Sequence, residues 1–176
     1  MGATYLADLL DTLVQEALIG LDDTRTGHPE PSRVYVSHSA PAVDVCTDDG
    51  LLVAYLYREP HLHPRSNARL GSGCMVTATA ECVVEVWRCH PTLADDGTPP
   101  TVTALDDAAQ ALLVDLWCLQ THLQHEWLQG TLTAGQPCNL IEWGVATPLG
   151  PQGAAAGWRV PLTYTLSDPA PAGLAS

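Results

Sequence analysis

The sequence predicts an α+β fold: a small, mostly antiparallel sheet of about five strands packed against an N-terminal helix and one long helix. Three observations predict it. Residues 4–21 repeat apolar side chains every three or four positions, residues 74–89 alternate apolar and polar over the longest such run, and residues 101–129 return to the helical period. The order is helix, three strands, long helix, two strands. Neighbouring strands interrupted by helices argue for helices laid on one face of a sheet, not for a doubly wound parallel sheet.

In TYLADLLDTLVQEALIGL, Leu6, Leu9, Leu10, Leu13, Val14, Ala17 and Leu18 share one face, with Thr4 placed to cap the helix and Gly20 near its end. DDTRTGHPEP is turn chemistry. SRVYV at 32–36 is a short strand, continued irregularly because Pro41 has no ladder donor. Asp48-Asp49-Gly50 signals a tight turn and predicts a hairpin of residues 43–46 with 51–58. Residues 59–73, EPHLHPRSNARLGSG, with two Pro and two Gly, read as a long loop, either a working arm or a disordered tip.

Along 74–89, Ala78, Ala80, Cys82, Val84 and Val86 point one way and Thr79, Glu81, Val83, Glu85 and Trp87 the other, as expected of a central strand. Asp95-Asp96-Gly97 then turns the chain, and Pro99-Pro100 blocks further pairing. Thr101 or Thr103 caps the long helix, Gly130 stops it, and Leu105, Ala109, Leu112, Leu116, Leu119, Leu123 and Trp127 form its apolar stripe. Two strands follow at 139–147 and 157–166, joined by PLGPQGAAA. Pro161 marks the second as an edge or bulged strand. Residues 1–166 form one expected domain, and 167–176 (SDPAPAGLAS) a flexible tail.

Composition narrows the function. The chain has 176 residues, 46% of them hydrophobic, enough for a core. Its net charge of -13 repels phosphate, which argues against a sequence-reading nucleic-acid binder. All seven basic residues are Arg, and Lys and Phe are absent, as in proteins from GC-rich genomes. No stretch approaches the roughly 20 apolar residues of a membrane span, and the N-terminal segment carries acids where a signal peptide carries bases, so a cytosolic protein is expected. The six cysteines show no CxxC spacing and are expected to be reduced, packed as small hydrophobes. Of the five Trp, Trp87, Trp117 and Trp127 are expected in the core, leaving Trp143 or Trp158 for a partner.

Candidate chemistry is sparse. Cys89-His90 are adjacent at a strand end and point to opposite faces, which suits a corner and not a nucleophile with its base. Cys118, His122 and His125 lie at i, i+4 and i+7 on the long helix and could present three zinc ligands, the basis of an alternative reading as a small zinc-dependent enzyme. His61 and His63 read as loop chemistry. P-loop, GxGxxG, GxSxG and HExxH patterns are absent. Enzyme activity and a cofactor are therefore not expected.

Arg88-Cys89, Pro91-Thr92-Leu93, Asp95-Asp96-Gly97 and Pro99-Pro100-Thr101 together resemble a segment of the neck proteins of long-tailed phages infecting actinobacteria, the tail-terminator or head-to-tail-connector group. Gly150-Pro151-Gln152-Gly153 followed by Gly157-Trp158-Arg159-Val160 resembles the group's second marker, and Pro41, Asp44 and Cys46 also fit. Ala154-Ala155-Ala156 stands where the group often has glycine and cysteine. The resemblance implies a tail-terminator-like α+β subunit that forms a ring, hexameric in the group, capping the completed tail tube. Its implied partners are its own copies, the tail tube protein and the head-to-tail connector or stopper protein, with DNA as passing cargo and no membrane. It implies assembly in the host cytoplasm and residence in the virion neck. Arg65, Arg69, Pro148, Leu149, Pro151 and Gln152 become candidate interface residues, and a head-completion or connector ring subunit is the alternative within the same class.

Overall fold

The computed structural model describes residues 2–22, 24, 27, 29, 33–41, 50–64, 76–133 and 138–167. Its order is α1 (Gly2–Asp22), β1 (Val34–Ser37), β2 (Leu51–Pro64), β3 (Val76–Cys89), α2 (Val102–Gln129), a short 3-10 turn (Thr131–Thr133), β4 (Cys138–Trp143), β5 (Thr147–Gln152) and β6 (Ala155–Ser167). One mixed sheet runs β1-β2-β3-β6-β4, with β5 also paired to β6. The expected α+β architecture is thus present, with one more strand than the sequence suggested.

The alternation along β3 is realised on both sides. Cys82, Val84 and Val86 join Leu52, Ala54, Val160, Leu162 and Tyr164 in the main core, packed under Leu9, Leu13 and Ala17 of α1 and Leu119 and Leu123 of α2. Each apolar side chain so buried contributes about 1.5–3 kcal/mol before ordering costs. The helices therefore cover a single face. On the other, Val53, Tyr55 and Val83 make a small cluster, and Leu51, Trp87 and Ala155 a second.

Several expectations change in detail. Helix α1 begins at Gly2, so Thr4 lies inside it rather than capping it. Residues 43–46 lie outside the described residues; the described partners of 51–58 are β3, antiparallel, and β1, parallel. Residues 59–64 are not loop but the end of β2. Register shifts between Leu56 and Arg58 and between Arg58 and His61 put Pro60 in an irregularity, where a missing donor breaks no ladder bond.

The expected strand at 139–147 is two strands, β4 and β5, interrupted at 144–146. Strand β6 lies inside the sheet, between β3 on one side and β4 and β5 on the other, despite Pro161. The Gly144 amide donates to the Pro161 carbonyl at 2.9 Å, so Pro161 turns its polar backbone toward this interruption. A strand residue's N–H and C=O leave on the same side. The absent N–H thus faces the gap between two strands, and the proline is accommodated without an orphaned acceptor.

Helix α2 starts and stops where the sequence placed it. The Thr101 hydroxyl accepts from the Ala104 amide at 3.1 Å, and Gly130, with φ 78°, closes the other end. Its 28 residues make a rod of about 42 Å. Only Asp115, Leu119 and Leu123 are buried. The expected stripe overran its partner: Leu105, Ala109 and Trp127 are exposed, because the buried positions, Asp115, Leu119 and Leu123, lie along the middle of the helix and not at its ends.

Candidate interaction surface

The two segments carrying the sequence resemblance meet at one end of the sheet. Cys89 at the end of β3 pairs with Ala155 at the start of β6, and the His90 amide donates to the Ala154 carbonyl at 2.7 Å. Strand β3 then leaves the sheet. A turn follows in which Gly97 donates to Ala94, Ala94 donates to Thr98, and the Thr98 amide donates to the Asp96 carboxylate at 2.8 Å. That hydrogen bonding holds the Asp96 carboxyl below its ordinary value, through Thr98 first of all. Residues 92–99 and 150–154 are all exposed, so both segments present open surface on leaving this junction.

Beneath that surface the motif residues are structural. Arg88 donates to both oxygens of Asp115 on α2, at 2.6 and 3.2 Å, and to the Gly27 carbonyl at 2.6 Å. Both charged groups are buried. A paired guanidinium fork suits such a site, because it aligns two donors with one carboxylate. It ties the end of β3 to the middle of α2. Gly157 serves the same junction: a Cβ there would lie 2.1 Å from the Val86 carbonyl oxygen, so β6 approaches β3 more closely than any side chain permits. The neighbouring Trp158 indole N–H donates to the Leu112 carbonyl of α2 at 2.9 Å. Arg88, Gly157 and Trp158 thus fix the helix that the exposed loop leads into.

Cys89 corrects the expectation of reduced thiols, for it is disulfide-bonded, which also removes it as a nucleophile. Cys82 and Cys118 are reduced thiols, as expected. The His90 ring contacts the Pro91 carbonyl at 3.0 Å through Nδ1, consistent with the corner role expected for this pair.

Of the candidate interface residues, Pro148 and Leu149 lie on β5, paired with Trp158 and Gly157, while Pro151 and Gln152 lead into the β5–β6 turn. Leu149 is half-buried against Leu51, Trp87 and Ala155; the other three are exposed. Arg65 and Arg69 lie outside the described residues. Sequence reasoning missed the outer face of α2, where Val102, Leu113, Trp117 and Leu128 follow one another at helical spacing. Trp117, expected in the core, is 73% exposed. The signal was legible in the helical wheel, but attention to the stripe through Leu112, Leu116 and Leu119 hid a second one beside it.

A polar group also sits on the sheet face away from the helices. Glu85 is buried, and its carboxylate accepts from the Tyr55 hydroxyl at 2.6 Å, the Trp87 indole at 2.9 Å and Arg159 at 2.7 Å. Burial first, and then Glu85, push the Tyr55 hydroxyl well above its usual value of 10.0. With its acceptors filled by three neighbours, the carboxylate cross-links β2, β3 and β6.

The three candidate zinc ligands are not gathered as a set. His122 instead meets Glu16 of α1, Nε2 to carboxylate oxygen at 2.9 Å, and ligand atoms of Glu16, His122 and Glu126 lie within 4.8 Å of one another. Cys118 and His125 are not among them. Among the described residues no helix is long and apolar enough to cross a membrane. In comparisons with known proteins, no family model and no curated sequence matches the chain.

Proposed function

We propose that this chain is a non-enzymatic structural subunit of a phage neck, a tail terminator whose copies form a ring, six in the group it resembles. The ring caps the completed tail tube and joins it to the head connector, with DNA passing through the lumen. One observation carries the reading: the two segments that resemble the neck-protein markers, far apart in sequence, are joined at one end of the sheet through Cys89, His90, Ala154 and Ala155, and both are exposed beside that junction.

The remaining features fit a subunit that works through its surfaces. A ring needs two different complementary patches on each copy and a rotation that closes. The exposed apolar face of α2, with Val102, Leu113 and Trp117, supplies an apolar patch of the kind that subunit contacts bury, and Trp is a frequent anchor in such contacts. Strand β1 at one side of the sheet and β4 with β5 at the other offer backbone edges for lateral pairing. The net charge of -13 lets DNA pass without adhering.

The test is the position of the chain in an intact particle, seen by cryo-electron microscopy. A ring directly on the last tube ring is expected; a ring on the portal side would assign it instead to head completion, and its absence from particles overturns both. Blocking its production separates the two roles again. Loss of a terminator gives tails of uncontrolled length, whereas loss of a connector gives full heads beside separate, normal tails.

A further inference from the structure

Helices α1 and α2 pack almost entirely through apolar side chains, yet one polar cluster is set into their seam. Glu16 comes from α1, His122 and Glu126 from α2, one helical turn apart on the same face. The two carboxylates are only 20% and 18% exposed, unusually low for glutamate without compensation. Their charge is not met by arginine among the described residues. Arg58, Arg88 and Arg159 pair with Glu81, Asp115 and Glu85, and Arg33 reaches the Gly50 carbonyl. The charged partners of these carboxylates among the described residues are imidazoles: His122, at 2.9 Å from Glu16, and the exposed His125, whose Nε2 stands 3.9 Å from Glu126.

The surroundings hold these groups in place. A Cβ on Gly20 would lie 3.0 Å from the His122 Cβ, so the glycine lets α1 and α2 approach closely beside the imidazole. The Thr131 hydroxyl, just past the end of α2, donates to the Glu126 carboxylate and orients it, as outer partners orient metal ligands. One imidazole nitrogen and two carboxylates, within 4.8 Å, match the donor preferences of a borderline divalent cation such as zinc, with room left for water.

We propose that Glu16, His122 and Glu126 form a divalent-cation site that staples α1 to α2. The ion replaces the proton or arginine that the cluster otherwise needs, and it joins residues from opposite halves of the chain. It is a structural site, independent of the ring reading, and it differs from the ligand set that helical spacing alone suggests. Only His122 is common to both.

The experiment is calorimetric titration of chelator-treated, full-length protein with zinc chloride, paired with thermal unfolding. One equivalent is expected to bind, and free zinc a hundredfold above Kd is expected to raise Tm by about 5–10 °C. His122→Gln and Glu126→Gln are each expected to weaken binding by more than about tenfold, while Cys118→Ser and His125→Gln leave it within about twofold. Glu126→Gln retains an acceptor for Thr131, so it decides the matter should the His122 variant fail to fold. Absence of saturable binding, less than a tenfold loss in Glu126→Gln, or loss in Cys118→Ser or His125→Gln overturns the site.

Discussion

Each face of β3 buries one ionic pair, and the two are built differently. On the helix side, Arg88 and Asp115 are 4% and 0% exposed and join sheet to helix. On the other side, Glu85 is 1% exposed, but its partner Arg159 is 31% exposed and sits directly across the strand in register. The first pair is closed off from solvent at both ends; the second has one end open to water. Burying a charge is tolerated only with a partner, so the difference decides what happens when one member is removed. Arg88 has no route to water once Asp115 is lost, whereas Arg159 has one at once.

The largest effect therefore belongs to Asp115→Asn. It leaves a buried guanidinium uncompensated and is expected to cost about 3–5 kcal/mol in urea unfolding. Replacing both partners, Arg88→Met with Asp115→Leu, is expected to recover most of that loss, because a well-packed apolar pair of similar size can match a buried ion pair. A double variant as unstable as Asp115→Asn alone would mean that the Gly27 contact, and not the charge pair, holds the junction.

Glu85→Gln comes next, at about 1–3 kcal/mol, since the amide still accepts from Tyr55 while one of the donors around it loses its acceptor. The same network sets an alkaline limit. Tyr55 is held protonated above the usual tyrosine value of 10.0, so its contribution is complete below pH 10 and drains away as pH rises beyond it, where the unfolded chain ionises first. In an ultraviolet titration of the five tyrosines, at least one is expected to ionise only together with unfolding, and Glu85→Gln is expected to bring that one down toward the others.

Trp117→Ala is expected to change stability least, by under about 0.5 kcal/mol, because its side chain leaves the fold's own contacts almost untouched. Its readout is association: light scattering is expected to show the wild-type chain forming larger assemblies that the variant does not. Equal assembly in both would remove the outer face of α2 from the ring contacts and leave the sheet edges as the lateral surfaces.

What the sequence disclosed follows from how local each signal is. Thr101 and Gly130 fixed the ends of α2 because capping is decided within one turn. The alternation from Ala80 to Trp87 gave both faces of β3 because a strand's period needs no knowledge of its neighbours. The pairs that matter to the surface were not legible. Arg88 with Asp115 and Glu16 with His122 join residues whose proximity is set by how α2 lies on the sheet and on α1, and nothing in the flanking residues marks them. Pro161 misled for the same reason: a missing donor is penalised only where a neighbouring strand demands it, and here an interruption stands at that place, as an irregularity does at Pro60.

The centre of the sheet is the pairing of β3 with β6, thirteen residues long in register, from Thr77 with Ser167 to Cys89 with Ala155. Those partners emerge from a ribosome at very different times. Until the last strand is made, β2 and β3 present an open, aggregation-prone border, and closing it requires a long loop to be drawn in before any bond rewards the effort. Formation of this pairing should consequently be slow, and newly made copies gain by meeting a chaperone before they meet one another.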